Sequence, residues 1–269
     1  ICAILNHKQR GEQRVAITIA VTNQKGGVGK TTTSVNVAYF LAKAGKKTLL
    51  IDFDPQGNAS SGLGIDKQAI EVTIAEVIMN PELVRGAILP TEYKNLSIIV
   101  APSYLANTEV DLGQTEGRFT RLKQVVAEIE ANYDYIIIDS PPSLSLLTVN
   151  GLIAANYILL PVQAEFYALE GLGQLLETMK LVRKGLNTSL ELLGVLPTMM
   201  DSRTSLSGQV HEEIKKYFPD KVFENTIPRN IRLAEAPSHG LPVGAYDRFS
   251  KGARAYKALT KEIIERVGQ

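Results

Sequence analysis

The chain has 269 residues, 45% of them hydrophobic, and a formal net charge of +1. That length and apolar content are enough for one large α/β core. The balanced charge excludes polyanion binding through overall charge, so any nucleic-acid surface has to be local. Cys2 is the only cysteine, which excludes an internal disulfide and favours a reduced, cytosolic compartment.

Short apolar runs alternate with helical patterns along the chain. Residues 1–14 are expected to be a disordered lead-in and residues 15–269 to form one domain. Strands are predicted at 15–21, 47–53, 96–101, 135–139, 157–161 and 190–196. One helix is predicted at 31–44. Another carries the periodic apolar positions Leu122, Val125, Val126 and Ile129.

The predicted strands are continuously apolar instead of alternating. Such runs are typical of a parallel sheet that helices cover on both faces. We therefore predict an α/β fold, a single-domain, doubly wound and mostly parallel sheet with helices on both faces. Ligands of such sheets bind at the carboxyl ends of the strands. No run of 18 apolar residues occurs, so we expect no membrane-spanning segment and no membrane partner.

A glycine-rich segment lies between the first predicted strand and helix, where a phosphate-binding loop requires it. Its glycines let several N–H groups point at one anion, and the helix N-terminus adds partial positive charge. The alternative is a tight turn without a ligand. The predicted nucleotide contacts are Lys25, Gly26, Gly27, Val28, Gly29, Lys30, Thr31 and Thr32. The expected nucleotides are ATP and ADP. Lys30 is expected to reach the β- and γ-phosphates of ATP, and Thr31 to ligate Mg²⁺.

Two predicted strands end in carboxylates. Asp52 and Asp54 share one face of their strand end, and an apolar strand tolerates such groups poorly unless they meet a cation, N–H groups or water. Asp139 ends another strand and is a candidate for the Mg²⁺ shell, through water. Loop solvation and helix capping are the alternative roles for Asp52 and Asp54. For Asp139 the alternative is an ordinary apolar strand that ends in an aspartate.

The loop sequence KGGVGKT, from Lys25 to Thr31, resembles the deviant Walker A motif of the ParA/MinD ATPases. The resemblance implies a P-loop NTPase fold in which Lys25 reaches across a nucleotide-sandwich dimer to the other subunit's phosphates. The segment around Asp54 resembles the Walker A′ element, which implies that Asp54 positions the attacking water and that Asp52 organises the site. Asp139 corresponds to the Walker B acid. Lys25, Lys30 and Asp54 are then the catalytic residues.

Further segments are similar to the ParA/Soj branch, and the likeness covers roughly residue 15 to the C-terminus. It rests on residues 31–36, 54–59 and 227–240. By this resemblance, Pro228, Arg229 and Asn230 lie beside the adenine base. The alternative for this stretch is an irregular surface loop.

The C-terminal region carries cations spaced three, three and four residues apart, which form one stripe on a helix. These cations are Lys251, Arg254, Lys257 and Lys261. A second, apolar stripe would pack against the body of the protein and consists of Tyr256, Leu259 and Ile263. A solvated helix face is the ordinary explanation of such a charge run. The ParA/Soj resemblance instead implies DNA phosphate contacts in an ATP dimer, and the candidates are Arg203, Arg232, Lys251, Arg254 and Lys257.

The resemblance implies an ATPase for chromosome or plasmid partitioning, located in the cytoplasm and on the nucleoid. ATP would drive formation of a homodimer that binds double-stranded DNA non-specifically, because phosphate contacts do not read sequence. A ParB-like centromere-binding protein would stimulate hydrolysis.

Three other functions are the alternatives. A MinD-like membrane switch needs an amphipathic C-terminal helix. The end of this chain is charge-balanced and weakly apolar instead. A redox protein similar to the nitrogenase iron protein needs cluster-ligating cysteines, and the single Cys2 excludes it. A nucleotide-dependent scaffold would show negligible turnover.

Overall fold

The structure, a computed structural model, describes residues 15–165, 172–201 and 203–268. The predicted lead-in at residues 1–14 lies outside the described residues. The assignment of residues 15–269 to one domain stays a prediction. In the described part of the chain, no helix has both the length and the apolar character that crossing a bilayer requires.

A seven-stranded sheet forms the centre of the described structure. The strands are β1 (Ile17–Val21), β2 (Thr48–Asp52), β3 (Leu89–Pro90), β4 (Leu96–Ile99), β5 (Tyr135–Asp139), β6 (Tyr157–Gln163) and β7 (Glu191–Thr198). Their order is β3-β4-β2-β5-β1-β6-β7, and every pairing is parallel except that of β3 with β4. The predicted mostly parallel sheet is confirmed.

Helices connect the strands and cover the sheet. They are α1 (Lys30–Lys43), α2 (Asn58–Gly62), α3 (Ile74–Met79), α4 (Val84–Ala87), α5 (Leu105–Leu112), α6 (Arg121–Ile129), α7 (Leu146–Ala154), α8 (Leu172–Gly185), α9 (Ser205–Tyr217), α10 (Ile231–Glu235), α11 (Val243–Tyr246) and α12 (Lys251–Val267). Short 3-10 turns add Lys67–Ala69 and Ala236–His239.

The central strands β2 and β5 are buried at every position, because apolar helix faces pack on both sides of the sheet. On one side, α1 and α12 share a core that includes Leu41 and Leu259. On the other side, α6 contributes the four apolar residues whose spacing predicted it, and all four are buried. The apolar stripe of α12 is likewise buried in the core, so these side chains are not available to a lipid surface.

The observed elements differ from the predicted ones mainly at their ends. β3 was not predicted, because two residues are too few to show a period. β6 continues through Pro161 to Gln163, two residues beyond its predicted end. The pairing of β6 with β1 stops at Leu159, so the missing N–H of Pro161 removes no ladder bond on that side.

Candidate nucleotide-binding site

The loop between β1 and α1 has the curvature that a phosphate-binding loop needs. Gly27 (φ +75°) and Gly29 (φ +90°) adopt left-handed backbone conformations, in which a side chain would be strained. Gly29 is the N-cap of α1, so the loop meets the free N–H groups of the first helical turn. At the end of β7, Thr198 donates from Oγ1 to the carbonyl of Val28 at 2.8 Å, which fixes the loop to the sheet.

Lys30 opens α1 and is only 6% exposed. Its Nζ donates to the carbonyl oxygen of Lys25 at 3.0 Å, so the lysine closes the loop from within. Burial lowers the pKa of Lys30, and the carboxylates of Asp139 and Asp54 act in the opposite direction. A phosphate that enters the loop therefore meets a cation already held in place.

Asp52 and Asp139 face each other in register at the carboxyl ends of β2 and β5, and both are fully buried. Oδ2 of Asp52 accepts hydrogen bonds from the Ser60 N–H (2.8 Å) and Oγ (2.6 Å). Oδ1 of Asp139 accepts from Ser34 Oγ at 2.7 Å. The second oxygen of each carboxylate is buried without a hydrogen-bond partner. Burial raises the pKa of both groups, and for Asp139 the nearby charge of Asp52 raises it further.

These unpaired oxygens are suited to a hard cation, which takes carboxylate and hydroxyl oxygens as ligands. The hydroxyl of Thr31 lies close enough to Asp139 to lower the pKa of that carboxyl, against the larger effect of burial. Across the ranges that the structure covers, no group of three or more His, Cys, Asp or Glu residues could hold a metal by itself. A cation here would complete its shell with water and phosphate oxygens, which is the usual situation of Mg²⁺ at nucleotides.

Asp54 follows β2 and is 5% exposed. Its Oδ1 accepts a hydrogen bond from the N–H of Gln56 at 3.0 Å. The carboxylate lines a cavity of about 290 Å³ together with the phosphate loop. The cavity residues from the loop are Gly26, Gly27, Gly29, Lys30, Thr31 and Thr32. The structure thus brings six of the eight predicted loop contacts and the predicted water-positioning acid together, whereas Lys25 and Val28 do not line this cavity.

A second cavity of about 290 Å³ shares Gly29 and Thr32 with the first. Its further lining includes the three residues predicted to lie at the base, which are Pro228, Arg229 and Asn230. Apolar walls come from Ile227 and Leu233. The amide oxygen of Asn230 is buried without a hydrogen-bond partner, so an unpaired acceptor remains in a mostly apolar pocket.

Lys25 lines neither cavity. Its Nζ forms an ion pair with Oε2 of Glu165 at 3.1 Å. Its backbone N–H donates to Asn23 Oδ1 at 3.0 Å, and the amide of Asn23 donates to the carbonyl of Pro161 at 2.7 Å. The lysine is therefore directed toward the end of β6 and not toward the phosphates of its own loop.

The predicted DNA cations fall into two groups. Lys251, Arg254 and Lys257 are exposed on α12. The two arginines bind carboxylates: Arg203 donates to both oxygens of Asp201 at 2.9 and 2.7 Å. Arg232 donates to Glu235 at 2.8 Å and lies 3.4 Å from Asp247. All five cations are thus exposed, and the two arginines are in addition paired with carboxylates.

Comparison with known proteins agrees with this geometry. A family model described as an AAA domain matches residues 16–192. The sporulation initiation inhibitor protein Soj of Bacillus subtilis is 55% identical over 245 residues, which are 91% of this chain and 97% of that protein. The chromosome partitioning protein ParA of Myxococcus xanthus is 49% identical over 258 residues, 96% of this chain and 91% of that protein. The chain belongs to the Soj/ParA family of chromosome-partitioning ATPases.

A solved structure extends the comparison to bound ligands. The crystal structure of cobyrinic acid a,c-diamide synthase from Mycobacterium smegmatis contains an ATP analogue and magnesium. It superposes with a TM-score of 0.83 at 35% identity, covering 95% of this chain and 97% of that one. The P-loop fold predicted for this Soj/ParA family member is therefore confirmed.

Several residues that support the site in this Soj/ParA family member were not predicted to do so, although Ser34 lies in the segment 31–36 that carries part of the resemblance. Ser34 and Ser60 hold Asp139 and Asp52, Glu165 holds Lys25, and Thr198 holds the phosphate loop. Ser60 lies in α2, a five-residue helix with too few residues to show a period. Glu165 and Thr198 are 140 and 170 residues from their partners, so only the fold shows the contact.

Proposed function

We propose that this chain hydrolyses Mg²⁺-bound ATP and that its ATP-bound form is a homodimer that binds double-stranded DNA without sequence preference. A ParB-like protein would stimulate hydrolysis, and hydrolysis would return monomers. The relatives named Soj and ParA support partitioning of a chromosome or plasmid as the biological role. In this proposal residues 15–269 form the ATPase domain, and the protein acts in the cytoplasm on the nucleoid.

One observation carries the proposal: Asp54 lines the same cavity as the phosphate loop. A loop that only binds nucleotide needs cations and N–H groups, and a carboxylate opposite it repels phosphate. A carboxylate is useful there if it accepts a hydrogen bond from water and orients that water for attack. The arrangement therefore favours hydrolysis over nucleotide-dependent scaffolding.

In this proposal, different residues of the chain bind the phosphates, orient the water and stabilise the transition state. Lys30 holds the β- and γ-phosphates, and the N–H groups from Gly26 to Thr32 surround the phosphate oxygens. Asp54 orients the attacking water. Lys25 leaves Glu165 and supplies a cation to the other subunit's nucleotide, where it stabilises charge in the transition state.

The proposal of a Mg²⁺ site rests on the unpaired oxygen of Asp139, which lies near the hydroxyl of Thr31. We assign these two groups to the Mg²⁺ shell, with Asp139 acting through water. When bound, Mg²⁺ neutralises phosphate oxygens during phosphoryl transfer. Asp52, which accepts two hydrogen bonds from Ser60, would keep the end of β2 in place beside this site.

The second cavity would hold the base. Ile227 and Leu233 offer apolar contact to a purine ring, and Asn230 offers the unpaired acceptor that an adenine amino group can satisfy. Pro228 and Arg229 complete the wall. The base of ATP and the base of ADP would occupy this pocket alike. The two nucleotides would therefore be distinguished in the other cavity, where the γ-phosphate of ATP would lie.

The test compares three nucleotide states on one DNA. A random-sequence duplex is titrated with protein in ATP, in ADP and without nucleotide, and hydrolysis is followed in parallel. We expect the protein to bind DNA only when ATP is present, and to show no preference among DNA sequences. Tight DNA binding by the nucleotide-free protein would overturn the switch.

Two controls isolate the site and the rival membrane function. Lys30→Ala removes the main phosphate cation, so it should bind no nucleotide and no DNA. Normal hydrolysis by this variant would refute the phosphate-loop assignment. Sedimentation with anionic liposomes in ATP should leave the protein in the supernatant, and pelleting would favour the MinD-like reading.

A further inference from the structure

Lys67 lies beside the loop that carries Asp54. It begins the 3-10 turn Lys67–Ala69, which is capped by Asp66 through the N–H of Gln68. Its Nζ donates to the carbonyl oxygen of Gly57 at 3.0 Å and to that of Gln56 at 3.3 Å. A flexible side chain thus reaches back 10 and 11 residues from a backbone that is itself fixed.

The two residues whose carbonyls Lys67 contacts also hold Asp54 through their N–H groups. The N–H of Gln56 donates to Oδ1 of Asp54 at 3.0 Å, and the N–H of Gly57 donates to the Asp54 carbonyl at 2.8 Å. Residues 56 and 57 therefore direct their N–H groups at Asp54 and their carbonyls at one ammonium group. The charge of Lys67 strengthens both carbonyl contacts.

The loop has little freedom to relax at this point. Gly57 has φ +63°, a left-handed conformation that a side chain strains. A Cβ placed on it would lie 2.5 Å from Nζ of Lys67 and 2.7 Å from the carbonyl oxygen of Ala101. The turn is thus enclosed between the lysine and the backbone that follows β4.

We propose that Lys67 is a positioning residue for ATP hydrolysis, because its ammonium group fixes the Gln56–Gly57 turn that aims the Asp54 carboxylate. This inference rests on the proposed function of Asp54. Lys67 lines neither the phosphate cavity nor the base cavity, so it acts through the loop and not on the nucleotide. Its loss should leave nucleotide binding intact and reduce the rate of the chemical step.

The experiment is single-turnover hydrolysis of ATP by the full chain on random-sequence DNA, with nucleotide affinity measured on the same preparations. Lys67→Met keeps the length of the side chain and removes its charge. We expect its hydrolysis rate to fall at least about tenfold, because small displacements of a positioned group have effects of this size or larger. The dissociation constant for Mg²⁺–ATP should stay within about twofold of the wild-type value, because a substitution that affects only the chemical step leaves nucleotide binding unchanged.

Two further variants distinguish positioning from a merely structural role. Lys67→Arg retains a cation that can donate to both carbonyls, so it should recover most of the rate. The double variant Asp54→Ala/Lys67→Met should be no slower than Asp54→Ala alone, because the lysine acts through the carboxylate. Lys123→Met, an exposed lysine on α6, is the control for removal of a charge.

The outcomes separate this inference from the proposed function. If wild type shows no hydrolysis, the proposed function fails. If wild type hydrolyses ATP and Lys67→Met is equally fast, only the role of Lys67 fails. A loss of nucleotide affinity in both Lys67→Met and Lys67→Arg would also overturn the inference, since it would mark a general structural role. Additive losses in the double variant would show that Lys67 does not act through Asp54.

Discussion

Lys25 and Glu165 form an ion pair of 3.1 Å within one chain, although the resemblance assigns Lys25 to the nucleotide of another subunit. The two side chains are 40% and 47% exposed. Ion pairs this accessible contribute only about 0–1 kcal/mol, because water and salt screen them. The pair can therefore exchange for a phosphate contact at small energetic cost, and Lys25 is available to a second subunit.

This availability leads to the first prediction. Lys25→Ala should bind ATP, because Lys30 and the loop N–H groups remain. Its hydrolysis in the dimer should fall by on the order of 10²-fold or more, in line with other cations supplied in trans. The measurement is the turnover of ATP on random-sequence DNA beside Lys94→Ala, an exposed lysine, as control.

Mixing variants tests whether Lys25 acts across the interface. In a heterodimer of Lys25→Ala and Asp54→Ala, one site combines an intact Asp54 with an intact Lys25 from the other subunit. Turnover should return in the mixture although neither variant is active alone. No recovery at any ratio, with heterodimers present, would place Lys25 in its own subunit's site.

The second prediction concerns Asp54, which shares its cavity with the phosphate loop. Asp54→Ala should bind ATP, since the change removes a carboxylate and leaves the phosphate contacts in place. Hydrolysis should fall by roughly 10²-fold or more, as expected when the water-orienting group is lost. The variant should then accumulate as an ATP-bound dimer in size-exclusion chromatography with light scattering. A monomer at concentrations where wild type dimerises would contradict this role.

The sequence predicts the parallel sheet because its strands are continuous apolar runs. It predicts the site because a glycine-rich loop leads into Lys30 and because Asp54 and Asp139 lie at strand ends. These features are local in sequence. The contacts of Lys67 could not be predicted in the same way. Nothing in the sequence around this lysine shows that its side chain donates hydrogen bonds to the carbonyls of Gln56 and Gly57. Likewise, the ParA/Soj resemblance makes Arg232 a candidate DNA contact but does not show its carboxylate partners, Glu235 and Asp247.

The third prediction concerns how α12 is fixed to the body of the protein. Glu262 accepts hydrogen bonds from the N–H groups of Glu224 and Asn225 and from the Asn225 amide, and it pairs with Arg266 at 2.8 Å. Partial burial raises the pKa of Glu262, but these hydrogen bonds and the arginine lower it more, so the net shift is downward.

A lowered folded-state pKa means that protons bind the unfolded chain more readily. The stabilisation by Glu262 is therefore present above the ordinary glutamate pKa of about 4.3 and is lost as the pH falls through the folded-state value. Glu262→Gln should lower the free energy of unfolding by about 1 kcal/mol at neutral pH and by less in acid. Urea titrations at pH 7 and at acidic pH measure this difference. An equal loss at both pH values would contradict the assignment.

The last prediction concerns the DNA surface, where some of the exposed cations are paired with carboxylates. Arg232 is exposed but is held by Glu235 and Asp247, and Lys257 is exposed on α12. Arg232→Ala and Lys257→Ala should each weaken binding to every duplex sequence alike. In a dimer each substitution removes two cations, so the slope of log affinity against log salt should become shallower by roughly one to two units.

The experiment is a salt titration of random-sequence DNA with the ATP-bound Asp54→Ala background, which keeps every variant in one nucleotide state. Lys123→Ala is the matched control, because its exposed lysine lies on α6, which packs on the opposite side of the sheet from α12. It should keep the parent affinity and slope. If Arg232→Ala behaves like this control while Lys257→Ala does not, then Arg232 serves its two carboxylates and the α12 stripe alone meets the duplex. If both match the control, DNA binding lies on another surface.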